Sequence, residues 1–236
     1  MNLVLLSQQD FIDKNQVSMS GRRLDHIQAV HQATIGDQLT VGMVNGKIGK
    51  GTILSINDQK VVMSIDLNQA PPPPLPITLV LALPRPKMLK RILQTCATMG
   101  VKKIILINSY RVEKSFWLTP LLKEASIEEQ FTLGLEQAKD TLMPELIIEK
   151  RFKPFVQDRL PGVCENTLAV VAHPGSQRPY PTRIEEPTTL VVGPEGGFIP
   201  YEIALLTEAG CEAVHLGPRI LRVETAITAL LAHFSS

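Results

Sequence analysis

The chain has 236 residues, 44% of them apolar, and its 24 Lys and Arg nearly balance its 23 Asp and Glu for a formal net charge of +1. This is enough to bury a proper core in one large domain or two small ones, and it argues against a crude polycation. The apolar patch Leu3 to Leu6 has no basic leader or long apolar run behind it, and Cys96, Cys164 and Cys211 are scattered and odd in number, without a Cys-x-x-Cys pair; secretion, membrane insertion, a disulfide framework and a zinc site are not expected, and a reducing cytoplasm is.

In chain order, Ser20 is placed to cap a short helix through Arg22 to Val30, whose apolar positions Leu24, Ile27 and Val30 recur at helical spacing. Residues 39–44, 51–56 and 61–67 read as short strands, the first two joined by a tight turn at Asn45-Gly46, and together they predict a small β-barrel. Pro71 to Pro74, followed by Pro76, can continue neither a ladder nor a helix. The expected division is therefore a barrel at 1–70, a stiff linker at 71–76 and a second domain at 77–236.

Beyond the linker, strands alternate with helices: a strand at 77–83, a helix at 87–99 stopped by Gly100, and an apolar strand at 101–107. Residues 118–139 read as helical, with a short strand near 146–148. Runs 167–172 and 188–192 have the character of buried strands. A helix at 201–209 starts near Pro200 and ends at Gly210, and a strand at 213–216 precedes a closing helix at 224–234. The alternation predicts an α/β domain with a mostly parallel sheet.

Charge is unevenly spread. Between Pro84 and Lys114 eight basic residues face one acid, Glu113. Such a segment is either a phosphate-binding face or a solvated helix face with a loop, and charge alone favours neither.

Two segments carry candidate chemistry. Gly193-Pro194-Glu195-Gly196-Gly197-Phe198 follows a predicted strand and leads into a helix, where open α/β sheets place ligands. It is not a phosphate-binding Gly-Lys-Ser/Thr loop and lacks dinucleotide spacing, so a tight strand-to-helix turn and a ligand loop are equally open readings. Leu216 to Ala226, which reads LGPRILRVETA, again joins a strand to a helix. Glu224 there has an ordinary capping use in the first helical turn, whereas Arg222 has none.

These two segments resemble the signature of the ribosomal RNA small-subunit methyltransferase E family of the SPOUT superfamily. Gly21-Arg22-Arg23 with His26 and Gly36-Asp37 resembles that family's amino-terminal PUA-like barrel, and His173-Pro174 its strand-end His-Pro. The resemblance implies a deep trefoil-knotted α/β domain behind a PUA-like β-barrel, a homodimer, and S-adenosyl-L-methionine as cofactor. It implies methylation of N3 of a uridine in 16S ribosomal RNA of the small subunit, with uridine 1498 as the family target. Carried over by position, Gly193, Pro194, Glu195 and Gly196 fall in one cofactor loop, Leu216, Gly217, Ile220, Leu221 and Arg222 in another, and His173 at a third. Uridine N3 must lose a proton before it can accept a methyl, so Arg222 is the candidate stabiliser of the anion and Glu224 the candidate base. Arg22, Arg23, Arg85 and Lys87 are the candidate RNA contacts, and no metal is expected.

The chain departs from the family pattern at Thr98-Met99-Gly100, where Glu-Leu-Gly is usual, and at Glu136 to Asp140, where Lys139 and Asp140 replace a glycine and an arginine. The second departure is expected to alter the substrate-side surface. Alternatives are a SPOUT methyltransferase acting on another RNA site or on a ribose hydroxyl, and a non-catalytic RNA-binding ribosome assembly factor. A phosphate-binding hydrolase ranks last, because its lysine and metal-ligand patterns are missing.

Overall fold

The computed structural model describes residues 2–234, apart from the side chains of Val30 and His31. Two compact units make up the chain: residues 1–73 with 131–143, and residues 74–130 with 144–236.

The first unit contains β1 (Val4–Leu6), β2 (Phe11–Asp13), β3 (Gln16–Met19), α1 (Arg22–His26) continued by a π turn (Ile27–His31), β4 (Gln38–Met43), β5 (Ile48–Ile56) and β6 (Val61–Gln69). One curled sheet runs in the order β1-β4-β5-β6-β3-β2, antiparallel except for β1 on β4. Alternating residues such as Val17, Met19, Val61 and Met63 fill its inside with Leu24 and Ile27. Asn45, at φ 56°, makes the tight turn after β4. The patch at Leu3 to Leu6 is buried and its last three residues form a parallel strand, which shows no alternation because both its faces are covered. Gly21, at φ 61°, caps α1 in place of Ser20. The expected apolar position Val30 lies outside the described side chains.

Ion pairs of Arg23 with Asp10 and of Arg22 with Glu136 tie this unit. Arg23 donates twice to Asp10, at 2.6 and 2.7 Å, and also to the Leu5 carbonyl. Burial works to raise the Asp10 carboxyl, but the Arg23 guanidinium and the Ser7 amide and hydroxyl outweigh it and hold it below the usual carboxylate range. Arg22 donates twice to the buried Glu136.

The second unit contains β7 (Ile77–Ala82), α2 (Pro86–Thr98), β8 (Lys103–Ile107), two 3-10 turns (Lys114–Leu118 and Pro120–Leu122), the start of α3 (Glu124–Ala138), β9 (Glu145–Glu149), α4 (Phe152–Pro154), a π turn (Phe155–Arg159), α5 (Leu160–Cys164), β10 (Leu168–Ala172), β11 (Thr188–Val192), α6 (Pro200–Glu208), β12 (Glu212–Val214) and α7 (Val223–Leu231). The sheet is wholly parallel, in the order β12-β10-β11-β7-β8-β9. Its central strands β7 and β11 are apolar apart from Thr78, Thr188 and Thr189, as expected where helices cover both faces. Leu89, Ile92, Leu93, Cys96 and Ala97 form the buried stripe of α2, and Gly100, at φ 85°, closes that helix as Val101 N donates to Cys96 O.

Residues 173–187, between β10 and β11, are laced to the carboxyl-terminal segment on both sides of α7. Tyr180 N donates to His215 O at 2.8 Å and His215 N to Arg178 O at 2.8 Å, while Ile184 N donates to His233 O at 2.9 Å. Cys96 is buried, which pushes its thiol up to about 12. The Cys164 and Cys211 sulfurs stand 3.8 Å apart.

The departure at Glu136 to Asp140 is a matter of helix termination. Lys139 takes φ 56° directly after α3, and Asp140 N donates to Leu135 O, the closing bond of a helix end that favours glycine. Asp140 is 3% exposed and accepts from Leu142 N at 2.9 Å. The expectation that this replacement remodels a substrate-facing surface is corrected at Asp140: a buried side chain offers no such surface.

Candidate functional site

The parallel sheet delivers its loops to one edge. Ala172 of β10 is paired with Val192 of β11 and with Val214 of β12, so all three strands end level. Adjacent strands lie about 4.8 Å apart, so His173, Gly193 and His215 leave the sheet within about 10 Å of one another. β7 and β8 end beside them, Ala82 opposite Ile107. This carboxyl-terminal edge is where open α/β sheets form their ligand crevice.

The Gly193 loop is held tightly. Gly197 N donates to Pro194 O at 2.8 Å, closing a turn, and Phe198 is buried against Phe152 with ring centroids 6.1 Å apart. A Cβ on Gly193 would stand 3.1 Å from the Phe198 ring and 3.3 Å from its amide. Glycine fits best there because the loop doubles back onto its own aromatic residue. Pro194 is buried, while Glu195 and Gly196 are exposed. The Glu195 carboxylate accepts from Arg85 N at 3.0 Å, and Arg111 donates to Gly196 O.

The second loop is open. Gly217, at φ 106°, donates to His215 Nδ1 at 2.8 Å. Leu216 is half-buried, Ile220 is 83% exposed and Leu221 37% exposed. The amide N–H groups of Arg219, Ile220 and Leu221 make no hydrogen bond among the described residues. Arg222 is exposed, with its carbonyl accepting from Ala226 N at the start of α7. Glu224 is half-buried in the first turn of α7, and Thr228 donates its hydroxyl to the Glu224 carbonyl. At the third loop His173 N donates to Val214 O at 2.8 Å and its carbonyl accepts from Ser176 N at 3.0 Å.

The structure therefore brings His173, Gly193 to Gly196 and Leu216 to Glu224 to one edge of one sheet. Arg85 and Lys87, both exposed, open α2 beside that edge. Arg22 and Arg23 belong to the other unit, where both guanidinium groups are engaged with carboxylates. Among the described residues no cluster of His, Cys, Asp and Glu is suited to a metal, and no helix is long and apolar enough to cross a membrane.

Sequence reasoning missed Glu202, which is 3% exposed and accepts from Ile199 N at 3.0 Å and Tyr110 N at 2.7 Å. It thereby joins the end of the glycine loop to the loop after β8. The signal was an acid three residues beyond the N-cap Ile199, a placement that caps backbone amides.

A scan of known families matches the one described as RNA methyltransferase domain to residues 71–235. Ribosomal RNA small subunit methyltransferase E of Treponema pallidum is 26% identical over 98% of this chain and 90% of its own length. Ribosomal RNA small subunit methyltransferase E 1 of Borreliella burgdorferi is 25% identical over 97% of this chain and 95% of its own. Among solved structures, a ribosomal RNA small subunit methyltransferase E of Neisseria gonorrhoeae bound to S-adenosyl methionine superposes with a TM-score of 0.76 at 21% identity, covering 98% of this chain and 95% of that one. The likeness of architecture extends across both units.

Proposed function

The chain belongs to the RNA methyltransferase domain family, and from that premise we propose that it uses S-adenosyl-L-methionine to methylate N3 of a uridine in 16S ribosomal RNA of the small subunit. The observation that carries this reading is the convergence of three loops at the level ends of β10, β11 and β12. Their donor set fits the cofactor: a close-packed glycine loop, a half-buried Leu216 beside open apolar residues, and main-chain N–H groups at Arg219 to Leu221 with no partner among the described residues.

His173, Gly193, Pro194, Glu195, Gly196, Leu216, Gly217, Ile220 and Leu221 would hold the cofactor, largely through main-chain contacts and fit. When bound, it supplies an electrophilic methyl carried on a sulfonium. The protein's own residues align the acceptor and remove its proton. Arg222, at the mouth of α7, offers a guanidinium to the negative charge that uracil O2 or O4 acquires as N3–H is lost. Glu224, two residues further on, takes that proton on its carboxylate. Arg85 and Lys87 meet RNA phosphates, with Arg22 and Arg23 in supporting roles that leave their carboxylate pairs intact. The homodimer completes the reading; its support is the family resemblance, and light scattering tests it.

The alternative of a different RNA target drew its support from Glu136 to Asp140, and that segment's main departure is one of helix ending. The test is transfer of tritium from labelled S-adenosylmethionine to purified ribosomal subunits lacking the modification. Incorporation into small but not large subunits is expected. Cofactor binding with no incorporation into either particle would point to another RNA, and failure to bind the cofactor would overturn the reading.

A further inference from the structure

Assigning the three loops leaves unexplained an exposed ring and an exposed cation side by side in the loop after β8. Tyr110 is 78% exposed, more open than any other aromatic among the described residues. Its main chain is nevertheless fixed. Tyr110 N donates to the buried Glu202 carboxylate at 2.7 Å, and Val112 N donates to Ser109 O at 3.1 Å to close a turn on the buried Val112. Arg111 lies across the glycine loop: it donates to Gly196 O, and a Cβ on Gly196 would stand 2.9 Å from Arg111 Cδ. The main chain of Tyr110 is thus held to Glu202 and the Arg111 side chain rests on the Gly193 loop, while both side chains stay open to solvent.

A tyrosine that buries neither its ring nor its hydroxyl contributes little to folding. On a pinned main chain it loses little freedom when something stacks on it. An unpaired nucleotide offers a flat base for the ring and a phosphate for the cation. Charge discriminates between occupants. Where β7 and β8 end, the exposed cations Arg85, Lys87, Arg111 and Lys114 outnumber the exposed acids Glu113 and Glu195, which suits a polyanion.

We propose that Tyr110 and Arg111 form the subsite for the acceptor nucleotide, Tyr110 stacking on the unpaired base and Arg111 meeting its phosphate. The inference rests on the RNA methyltransferase reading above and adds to it the residues that seat the nucleotide.

Steady-state transfer to small subunits lacking the modification, at saturating S-adenosylmethionine, tests it. Tyr110→Ala raises KM for the subunit by about tenfold while the Kd for S-adenosylmethionine, from calorimetry, changes by less than about twofold. Tyr110→Phe restores the wild-type KM, because the ring and not the hydroxyl makes the contact. Arg111→Ala raises KM and lowers the slope of log affinity against log salt by about one. A Tyr110→Ala protein whose Kd for S-adenosylmethionine rises as much as its KM for RNA would show that the loop shapes only the cofactor pocket. An unchanged KM with a shift from dimer to monomer in light scattering would assign Tyr110 to a subunit contact. Wild-type transfer in the same assay reports on the methyltransferase reading separately from the behaviour of the variants.

Discussion

Gly193→Ala is the sharpest perturbation of the candidate site. The added methyl meets the Phe198 ring at 3.1 and 3.3 Å and the Phe198 amide nitrogen at 3.3 Å. Relief needs a shift of a few tenths of an ångström, and two of the three contacts are with a ring that is only 5% exposed and packs on Phe152. Overpacking of this kind costs about 1–3 kcal/mol. For a chain of this size that is a fall in melting temperature of about 2–12 °C. Gly196→Ala is the matched control. Its methyl meets Arg111 Cδ at 2.9 Å, the middle of an exposed side chain that can swing away, so the stability cost is below about 1 kcal/mol. Differential scanning fluorimetry gives the two melting temperatures, and calorimetry gives S-adenosylmethionine affinity. Gly193→Ala should lose both stability and affinity. A Gly193→Ala protein that melts with wild type, or a Gly196→Ala protein destabilised as much, would refute the claim that loop closure on Phe198 builds the pocket.

Arg222→Ala should lower kcat by about a hundredfold or more and change S-adenosylmethionine affinity far less, as expected for a group that acts on developing charge; equal losses in kinetics and binding would make Arg222 a cofactor ligand. Lys139→Gly relieves a lysine at φ 56° and should stabilise the protein by about 1 kcal/mol, read as a raised melting temperature. Arg23→Ala leaves the Asp10 carboxylate buried without its partner and should cost about 2–3 kcal/mol at pH 7 in denaturant titrations, discounted for the partly exposed guanidinium. Because the folded carboxyl of Asp10 lies below its ordinary value of 3.8, the pair's contribution is present above that pH and is lost as pH falls through the folded value. The gap between Arg23→Ala and wild type should therefore shrink below about pH 4, and a gap that is constant with pH would refute the role given to the pair.

The α/β half was legible because buried parallel strands leave continuous apolar runs. Thr188–Val192 was found to the residue and Lys103–Ile107 to within two, and Gly100 marked the end of α2 as local chemistry dictates. The first unit was half hidden. β1 and β2 are three residues each and β3 is four, too short for a period to show, and β1 is buried on both faces. The segment 152–164 went unread because a π turn breaks its helical period between α4 and α5. Within the site, Gly193 to Gly196 and Leu216 to Arg222 stood out by composition and position after strands. Glu202, Tyr110 and Arg111 did not, because their roles depend on which strand ends lie side by side, and strand order is a tertiary fact. The same limit affected Arg22 and Arg23, whose partners Glu136 and Asp10 lie 114 and 13 residues away in sequence.

The account turns on which atom receives the methyl. Small subunits lacking the modification, incubated with the protein and S-adenosylmethionine, can be digested to nucleosides and separated by chromatography with mass spectrometry. The account predicts one new species, N3-methyluridine, arising from a single site in 16S ribosomal RNA. A 2′-O-methylated nucleoside, or methyl on a base other than uracil, would contradict the roles given to Arg222 and Glu224, because neither product requires loss of a proton from uridine N3.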